Sequence, residues 1–205
     1  METIISLIRH GDVYNPMRKM YARLPRFHLS DLGQRQAQFA ADMLFDNTIA
    51  AIYASPMLRT RQTAGIIANR HPGTPVRISK HLIEIFTMYQ GWPVSEMEKI
   101  QWNLYAKVRP PYERPEDVLR RIQAFMKQAR RRHPGQHIVA VTHGDLIAFI
   151  ILWSQGKPIG PGIKPDPYPS RASITTLTYR TTALDEVPSY EYWEPSPVLT
   201  NQRFA

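Results

Sequence analysis

The fold of this chain follows from the stretch at residues 4–11, which reads IISLIRHG. A short apolar run that ends at turn-forming residues predicts a buried strand, and this run ends at Arg9, His10 and Gly11. Residues 138–145, IVAVTHGD, repeat the arrangement, because an apolar run again leads into a polar cluster that contains His-Gly. We therefore predict two buried strands, at residues 4–8 and 138–141, each of which ends in a polar loop.

Strands and helices are predicted to alternate along the rest of the chain. Further strands are expected at residues 49–54, 76–78, 173–179 and 190–193, and helices from Ser30 or Asp31, from Ser55 to about residue 69, over residues 116–132 and after Asp145. Ser55 is expected to cap its helix, with Pro56 at the first helical position. Residues 82–115 and the proline-rich residues 158–169 are predicted to be irregular. The alternation predicts an α/β fold with three layers, α/β/α, around a mostly parallel central sheet.

The composition limits the function classes that need to be considered. The 205 residues contain no cysteine, which excludes disulfide bonds, thiolate zinc sites and a cysteine nucleophile. The first residues lack the basic segment of a signal peptide, and the most apolar later stretch, residues 146–153, is too short to cross a membrane. We therefore expect a cytoplasmic protein without a membrane partner, folded as one domain over residues 1–205 with a flexible tail at residues 196–205.

The chain is basic, with 26 Lys and Arg residues against 17 Asp and Glu residues and a net charge of +9. Such an excess is typical of a solvated basic surface, of nucleic-acid binding or of attraction toward an acidic small substrate. The sequence contains no zinc-finger motif, no aromatic RNA-binding motif and no long basic tail. We therefore predict that nucleic acid is not a partner, and a basic nucleic-acid binder is the weaker alternative.

Three polar clusters directly follow predicted strands, at residues 9–11, 55–59 and 142–144. In a parallel sheet these clusters meet at the carboxyl edge, where ligands bind in open α/β sheets. They would bring two histidines, His10 and His143, together with two arginines. An unprotonated imidazole nitrogen can attack phosphorus, and arginine forks bind phosphate oxygens in pairs. The convergence of the three clusters therefore predicts a site that handles a phosphate group.

These motifs resemble those of the histidine phosphatase superfamily, also called phosphoglycerate mutase-like. The clearest is Leu-Ile-Arg-His-Gly at residues 7–11, followed by Asn15. Further matches occur in the expected order at residues 29–37, 55–64, 82–92 and 141–144. Five motifs in order are far more specific than one tripeptide. The resemblance implies a phosphoglycerate mutase-like fold and an activity of the phosphatase branch.

The resemblance also implies a role for each candidate residue. His10 would be the nucleophile and carry the phosphoryl group, and Glu84 would protonate the leaving oxygen and then activate water. The groups that bind the phosphate would be Arg9, Arg59 and His143, with Gly11, Asn15 and Gly144 as further substrate contacts. The two glycines lack a Cβ atom and are expected to let the backbone approach the ligand closely.

Two of these assignments have rivals in the sequence. The register of the second helix favours Arg59 over Arg61 as the phosphate-binding arginine. The segment around Glu84 departs from the usual family pattern, so Asp12 and Asp145 are alternative acids. Asp145 also suits a helix cap.

The predicted function is metal-independent hydrolysis of a small-molecule phosphate ester through a phosphohistidine, with no cofactor and no metal. Phosphoglycerate mutase-type transfer and an inactive module that binds a phosphorylated ligand are the alternatives, and a homodimer is the assembly considered. Nearby arginines favour a neutral His10 and lower the pKa of Glu84, while a bound phosphate dianion offsets part of that effect. Activity is therefore expected to be highest at mildly acidic to neutral pH.

Overall fold

The structure, a computed structural model, describes residues 1–195, so the tail predicted at residues 196–205 lies outside the described residues. The strands are β1 (Thr3–Arg9), β2 (Ile49–Ala54), β3 (Val76–Ile78), β4 (His137–Thr142), β5 (Ile174–Tyr179) and β6 (Ser189–Trp193). The helices are α1 (Asp31–Met43), α2 (Leu58–Ala68), α3 (Val94–Lys99), α4 (Pro115–Arg132) and α5 (Gly144–Ser154), with a 3-10 turn at Lys80–Leu82.

The strands form one mixed sheet in the order β3-β2-β4-β1-β5-β6. Strands β1 to β4 run parallel to one another, whereas β5 pairs antiparallel both with β1 and with β6 at one side of the sheet. Ile8 near the end of β1 pairs with Val141 near the end of β4 and with Ile174 at the start of β5. The prediction of a mostly parallel sheet is confirmed, and the carboxyl edge of β1 is shared with the amino end of β5.

Both faces of the sheet are covered, as the three-layer prediction requires. Ile5 and Leu7 of β1 belong to a buried cluster that also contains residues of α4 and α5, and Ile8 belongs to a second cluster with residues of α1 and α2. Alternate residues of a strand point to opposite faces, so one strand serves both clusters. Each fully buried Ile or Leu side chain contributes about 1.5–3 kcal/mol.

The start of α2 differs from the prediction. The helix begins at Leu58 after an extended Met57, and the predicted cap, Ser55, lies two residues earlier. The Ser55 hydroxyl is 2.8 Å from Nε2 of His143, while its contact with the Met57 amide is long, at 3.4 Å. Ser55 is therefore engaged by the histidine, and the prediction that it caps the helix is wrong.

Two further boundaries bear on the sequence predictions. The Ser30 hydroxyl accepts a hydrogen bond from the Gly33 amide at 3.0 Å, so the predicted cap of α1 is confirmed. The short helix α3 falls inside a segment that was predicted to be irregular, where burial of Val94 and Met97 stabilises six residues of helix. No helix within residues 1–195 combines the length and apolar character needed to span a bilayer.

Candidate active site

The three polar clusters meet at the carboxyl edge of the sheet. Arg59 Nε lies 3.1 Å from His10 Nε2, and Arg59 Nη2 lies 3.2 Å from His143 Nδ1. The two imidazole rings are 5.3 Å apart between centroids and meet edge to face. Parallel strands β1 and β4 place the two histidines side by side, and the first turn of α2 brings the arginine between them.

His10 is held in one tautomer. Its Nδ1 lies 2.7 Å from the carbonyl oxygen of Gly11, which can only accept, so Nδ1 carries the proton. Its Nε2 faces two donors, Arg59 Nε at 3.1 Å and Arg171 Nη1 at 3.2 Å. Burial, then Arg171 and Arg59, lower the pKa of His10 well below its usual value. The ring is therefore neutral near pH 7 and has its lone pair on Nε2.

Arg59 is the most central side chain of the site. It is fully buried, donates from Nη2 to the Ala22 carbonyl at 2.8 Å, and stacks over the ring of Tyr21 at 4.7 Å. Its Nη1 has no hydrogen-bond partner among the described residues. Arg61 is exposed on the other side of the helix, so the structure places Arg59 in the site as the register predicted.

Glu84 lies beside the same two groups. Its Oε2 is 3.2 Å from His143 Nδ1 and 3.3 Å from Arg59 Nη2, and its Oε1 accepts from the Ile85 amide at 2.9 Å. Burial by itself would raise the pKa of Glu84, but His143 and Arg59 outweigh it and hold that pKa well below its usual range. Glu84 is therefore an ionised carboxylate in this arrangement.

His143 links Glu84 to Ser55, in the segment between β2 and α2. Its Nε2 is 2.8 Å from the Ser55 hydroxyl and its Nδ1 is 3.2 Å from the Glu84 carboxylate. Both contacts are satisfied when Ser55 donates to Nε2 and the Nδ1 proton points at Glu84. Burial lowers the pKa of His143 to about 4 even though the Glu84 carboxylate raises it. His143 is therefore neutral near pH 7.

Arg9 and Asn15 line a cavity that opens at the site, and their side chains form hydrogen bonds with backbone groups nearby. Arg9 Nη1 donates to the Pro169 carbonyl at 2.6 Å, and its guanidinium lies 5.4 Å from the Tyr168 ring centroid. Its Nε is buried and lacks a hydrogen-bond partner within residues 1–195. The Asn15 side chain donates to the Lys19 carbonyl at 2.9 Å and accepts from the Lys19 amide at 3.1 Å, which closes a turn.

The structure gives its own reason why glycine is required at the two positions that follow the histidines. A Cβ atom at position 11 would collide with the carbonyl oxygen of Gly33, and one at position 144 would collide with the hydroxyl of Tyr168. The space that each glycine leaves is thus occupied by protein atoms. Each glycine is therefore required by a neighbouring segment of the chain, and the expectation that Gly11 and Gly144 also contact a ligand stays a prediction, with Gly144 among the residues that line the cavity.

The two rival acids occupy different surroundings. Both carboxylate oxygens of Asp145 accept hydrogen bonds at 2.7 Å, one from Tyr105 and one from Tyr168, and burial raises the pKa of Asp145. Asp145 therefore does not cap α5, although it lines the cavity. Asp12 accepts from the Ser30 hydroxyl at 2.6 Å and so lies against the start of α1.

Sequence reasoning missed two side chains near His10, those of Arg171 and Tyr21. Arg171 Nη1 is 3.2 Å from His10 Nε2, and Arg171 Nη2 donates to the Tyr21 hydroxyl at 2.7 Å. Arg171 lies just before β5, which runs antiparallel to β1 and therefore starts at the carboxyl edge of the sheet. The strand prediction at residues 173–179 could have indicated this position, but its direction was not predictable from the sequence.

The site also contains a possible set of metal ligands. One nitrogen each of His10 and His143 and a carboxylate oxygen of Glu84 lie within 4.8 Å of one another. However, Arg59 donors lie 3.1–3.3 Å from all three of these residues, and Arg171 approaches the same nitrogen of His10. A bound cation would have to displace two guanidinium groups, so the donor set suits an anion better than a metal.

The cavity that opens beside His10 has a volume of about 540 Å³. This is a typical size for a small-molecule site. Its wall is partly apolar, with Val94, Trp102 and Leu104, and it carries the cations of Lys19 and Lys164. The described ion pairs closer than 4 Å include neither of these lysines. The cavity can therefore accept a phosphate ester with a sizeable leaving group.

Comparison with known proteins identifies relatives over most of the chain. The model of the histidine phosphatase superfamily (branch 1) matches residues 5–187. An uncharacterised protein of Mycobacterium tuberculosis is 35% identical over 76% of this chain and 80% of the relative. Phosphoserine phosphatase 1 of Hydrogenobacter thermophilus is 32% identical over 67% of this chain and 69% of its own length. The structure of mycobacterial glucosyl-3-phosphoglycerate phosphatase superposes with a TM-score of 0.77 at 24% identity, over 96% of this chain and 100% of the other.

Proposed function

This chain belongs to the histidine phosphatase superfamily, and we propose that it hydrolyses a small-molecule phosphate monoester through a phosphohistidine on His10. The observation that carries the proposal is the orientation of the His10 ring. Nδ1 donates to the Gly11 carbonyl at 2.7 Å, so Nε2 keeps its lone pair for phosphorus. Guanidinium groups of Arg59 and Arg171 lie beside this nitrogen, where they stabilise the charge of a transferring phosphoryl group.

The first step forms the phosphoenzyme. The lone pair of His10 Nε2 attacks phosphorus while the ester P–O bond breaks, and Glu84 transfers a proton to the departing oxygen. The products of this step are an alcohol and phosphohistidine. Glu84 is ionised beside Arg59 and His143, so it takes up this proton when the negative charge of the bound ester raises its pKa.

The second step returns the enzyme to its starting state. A water oxygen attacks the phosphorus of phosphohistidine while Glu84 accepts a proton from that water. The P–N bond breaks, its electron pair returns to His10 Nε2, and inorganic phosphate is released. The sum of the two steps consumes one water and gives one alcohol and one phosphate.

Two buried donors support phosphate binding at this place. Arg9 Nε and Arg59 Nη1 have no hydrogen-bond partner within the described part of the chain. A buried donor without an acceptor costs about 1–3 kcal/mol, which oxygens of a phosphate dianion would recover. His143 lies next to the second of these groups, with its Nδ1 3.2 Å from Arg59 Nη2.

The leaving-group side of the cavity supports a small organic ester as substrate. Trp102, Leu104 and Val94 offer an apolar wall, and Lys19 and Lys164 offer positive charge. The curated relative that is named a phosphoserine phosphatase supports hydrolysis of a phosphorylated small molecule. The cytoplasmic location, a homodimer, the single domain over residues 1–205 and the absence of membrane and nucleic-acid partners stay predictions.

The test is hydrolysis of p-nitrophenyl phosphate and of a set of alkyl phosphates with EDTA present. Substitution His10→Ala should abolish turnover of all of them. The matched control is His28→Ala, because His28 also has its Nδ1 2.8 Å from the following carbonyl but stacks on Tyr14 away from the site. We expect the control to keep the activity of the wild type.

Labelling of the enzyme in a single turnover checks the intermediate. Wild type should take up phosphate from a radiolabelled ester in an acid-labile, base-stable form, as expected of a P–N bond, and His10→Ala should take up none. Turnover without such a label, or turnover that EDTA abolishes and added metal restores, would contradict the mechanism. Binding of inorganic phosphate with no turnover of any ester would favour a phospho-ligand binding module.

A further inference from the structure

We infer that Arg171 is a catalytic residue, a further arginine that binds the transferring phosphoryl group, and that Tyr21 positions it. The inference rests on the proposed function, because it concerns the phosphoryl group carried by His10. Arg171 Nη1 lies 3.2 Å from His10 Nε2, the attacking nitrogen. Its other terminal nitrogen, Nη2, donates to the Tyr21 hydroxyl at 2.7 Å. The guanidinium is therefore fixed at one end and faces the reaction centre with the other.

The geometry adds Arg171 to Arg9 and Arg59, the arginines that the sequence motifs suggest for phosphate binding. Arg9 follows the strand immediately before His10, yet its Nη1 donates to the Pro169 carbonyl at 2.6 Å. Among the described residues, the guanidinium groups within hydrogen-bond distance of His10 Nε2 are those of Arg59 and Arg171. These two approach the nucleophile from separate parts of the chain, so they can bind different oxygens of one phosphoryl group.

Among the described ion pairs Arg171 has no carboxylate within 4 Å, and the acidic group that raises its pKa from farther away is Asp12. The described ion pairs within 4 Å give Arg59 its partner, Glu84, but give none to Arg171. Burial lowers the pKa of Arg171, but Tyr21 and Asp12 outweigh burial and raise that pKa, so the guanidinium is charged and can offset the negative charge of a bound phosphate. A phosphate dianion beside His10 would contact both Arg171 and Arg59. Its competition for Arg59 would weaken the contact between Arg59 and Glu84, so that Glu84 could take up the proton that it transfers.

The backbone is bent in the same way next to both partners. Ala172, which follows Arg171, has φ of 56°, and Ala22, which follows Tyr21, has φ of 32°. Both alanines are buried, and neither is a glycine, so both positions are strained. Such strain persists where the surrounding structure imposes it, and it clusters at functional sites.

Hydrogen bonds to β1 impose the bend at Ala172. The Ala172 amide donates to the Arg9 carbonyl at 3.0 Å, and the Arg9 amide donates to the Ser173 carbonyl at 3.2 Å. The backbone of Arg171 is thereby tied to the residue next to the nucleophile. A side chain from a distant loop is held against His10 by the end of the strand that carries His10.

The role predicts a specific kinetic pattern. Loss of one preorganised donor to a transition-state oxygen lowers kcat by about 100-fold to 1000-fold, so Arg171→Ala should lower kcat to this extent. Arg171→Lys should recover part of the loss, because it keeps the charge but not the planar fork. Tyr21→Phe should lower kcat by a smaller factor with little change in KM, since the phenyl ring remains against Arg59 while the hydroxyl is lost.

Chemical rescue distinguishes catalysis from a structural role. We expect guanidinium ion to restore activity to Arg171→Ala in a saturable manner and to leave Arg61→Ala, an exposed arginine on α2, unaffected. The experiment measures hydrolysis of p-nitrophenyl phosphate, inhibition by vanadate and phosphohistidine labelling for each variant. If Arg171→Ala does not fold, judged by circular dichroism, Arg171→Lys and Arg171→Gln replace it, and Lys should exceed Gln.

The outcomes separate the two proposals. A wild type that forms no phosphohistidine overturns the proposed function. A wild type that forms phosphohistidine, together with an Arg171→Ala variant whose kcat and vanadate inhibition match those of the wild type, overturns the role of Arg171 by itself. Equal activity of the Lys and Gln variants would overturn it in the same way.

Discussion

Arg59 Nη2 lies 3.3 Å from Glu84 Oε2, so the proposed proton donor of this site is paired with an arginine that we propose to bind the phosphate. Burial would raise the pKa of Glu84, but His143 and, to a smaller extent, this contact with Arg59 hold it well below its usual range. The same guanidinium donates to the nucleophilic nitrogen of His10 at 3.1 Å. One arginine thus contacts both reacting groups and lowers the pKa of each, alongside burial and Arg171 at His10 and alongside His143 at Glu84, until a phosphate dianion competes for it.

The first prediction concerns the pH dependence of turnover. His10 is neutral down to acidic pH because its pKa is well below its usual value, and Glu84 must be protonated in the complex with substrate. With an alkyl phosphate as substrate, kcat should therefore fall as the pH rises through the pKa of Glu84 in that complex. Glu84→Gln should lower kcat by about 100-fold to 10,000-fold and remove this decline. An unchanged alkaline decline in the variant would count against Glu84 as the acid.

The second prediction separates Glu84 from its rival Asp145. A p-nitrophenolate leaves readily without a proton, whereas an alkoxide needs one, so Glu84→Gln should slow His10 phosphorylation by glycerol phosphate far more than by p-nitrophenyl phosphate. Asp145→Asn should affect both esters by the same factor, because its carboxylate holds Tyr105 and Tyr168 at 2.7 Å. Rapid-quench measurement of phosphoenzyme formation supplies both rates. A selective loss with Asp145→Asn would transfer the acid role to that residue.

The third prediction concerns stability in acid. The pKa values of His143 and His137 are both lowered to about 4, chiefly by burial, against about 6.5 in an unfolded chain. Between these values the unfolded chain binds protons that the folded protein does not, so the free energy of unfolding falls as the pH drops from about 6.5 to about 4. Each such histidine contributes about 1.4 kcal/mol per pH unit at most.

Urea denaturation across this range provides the measurement. His137 Nε2 is 2.8 Å from the Ser6 hydroxyl, and His137→Asn keeps a polar group there without a titrating ring. From pH 7.5 to 5.5, the variant should lose about 1 kcal/mol less stability than the wild type. Identical losses in the two proteins would show that His137 does not carry this effect.

The fourth prediction compares two helical glycines. A Cβ at Gly33 would collide with the backbone carbonyl of Asp12, whereas a Cβ at Gly65 would meet nothing within 4 Å. Gly33→Ala should lower the free energy of unfolding by about 1–3 kcal/mol through overpacking. Gly65→Ala should raise it by about 0.5–1 kcal/mol, since alanine is the better helix former. Thermal and urea unfolding measure the change in the free energy of unfolding for both variants. Equal changes would show that the backbone of Gly33 is not packed tightly against that of Asp12.

Much of the fold was predictable from the sequence because its causes are local. The predicted bounds of β2 and β3 agree with the structure, and those of β1 and β4 differ by one residue at each end. These strands are short apolar runs bounded by turn residues, so pattern and length are sufficient to find them. The short helix α3 was missed because it is defined by the burial of Val94 and Met97, which depends on distant packing.

The sequence by itself also determined which edge of the sheet holds the site and that His10, Arg59 and His143 meet there. That result needed only parallel strands that end in polar clusters. It did not determine the contacts of Arg171, which is separated from His10 by 161 positions along the chain. That contact exists because β5 runs antiparallel beside β1 and begins where β1 ends. Strand direction and the path of a loop arise from packing of the whole sheet, and no local pattern encodes them.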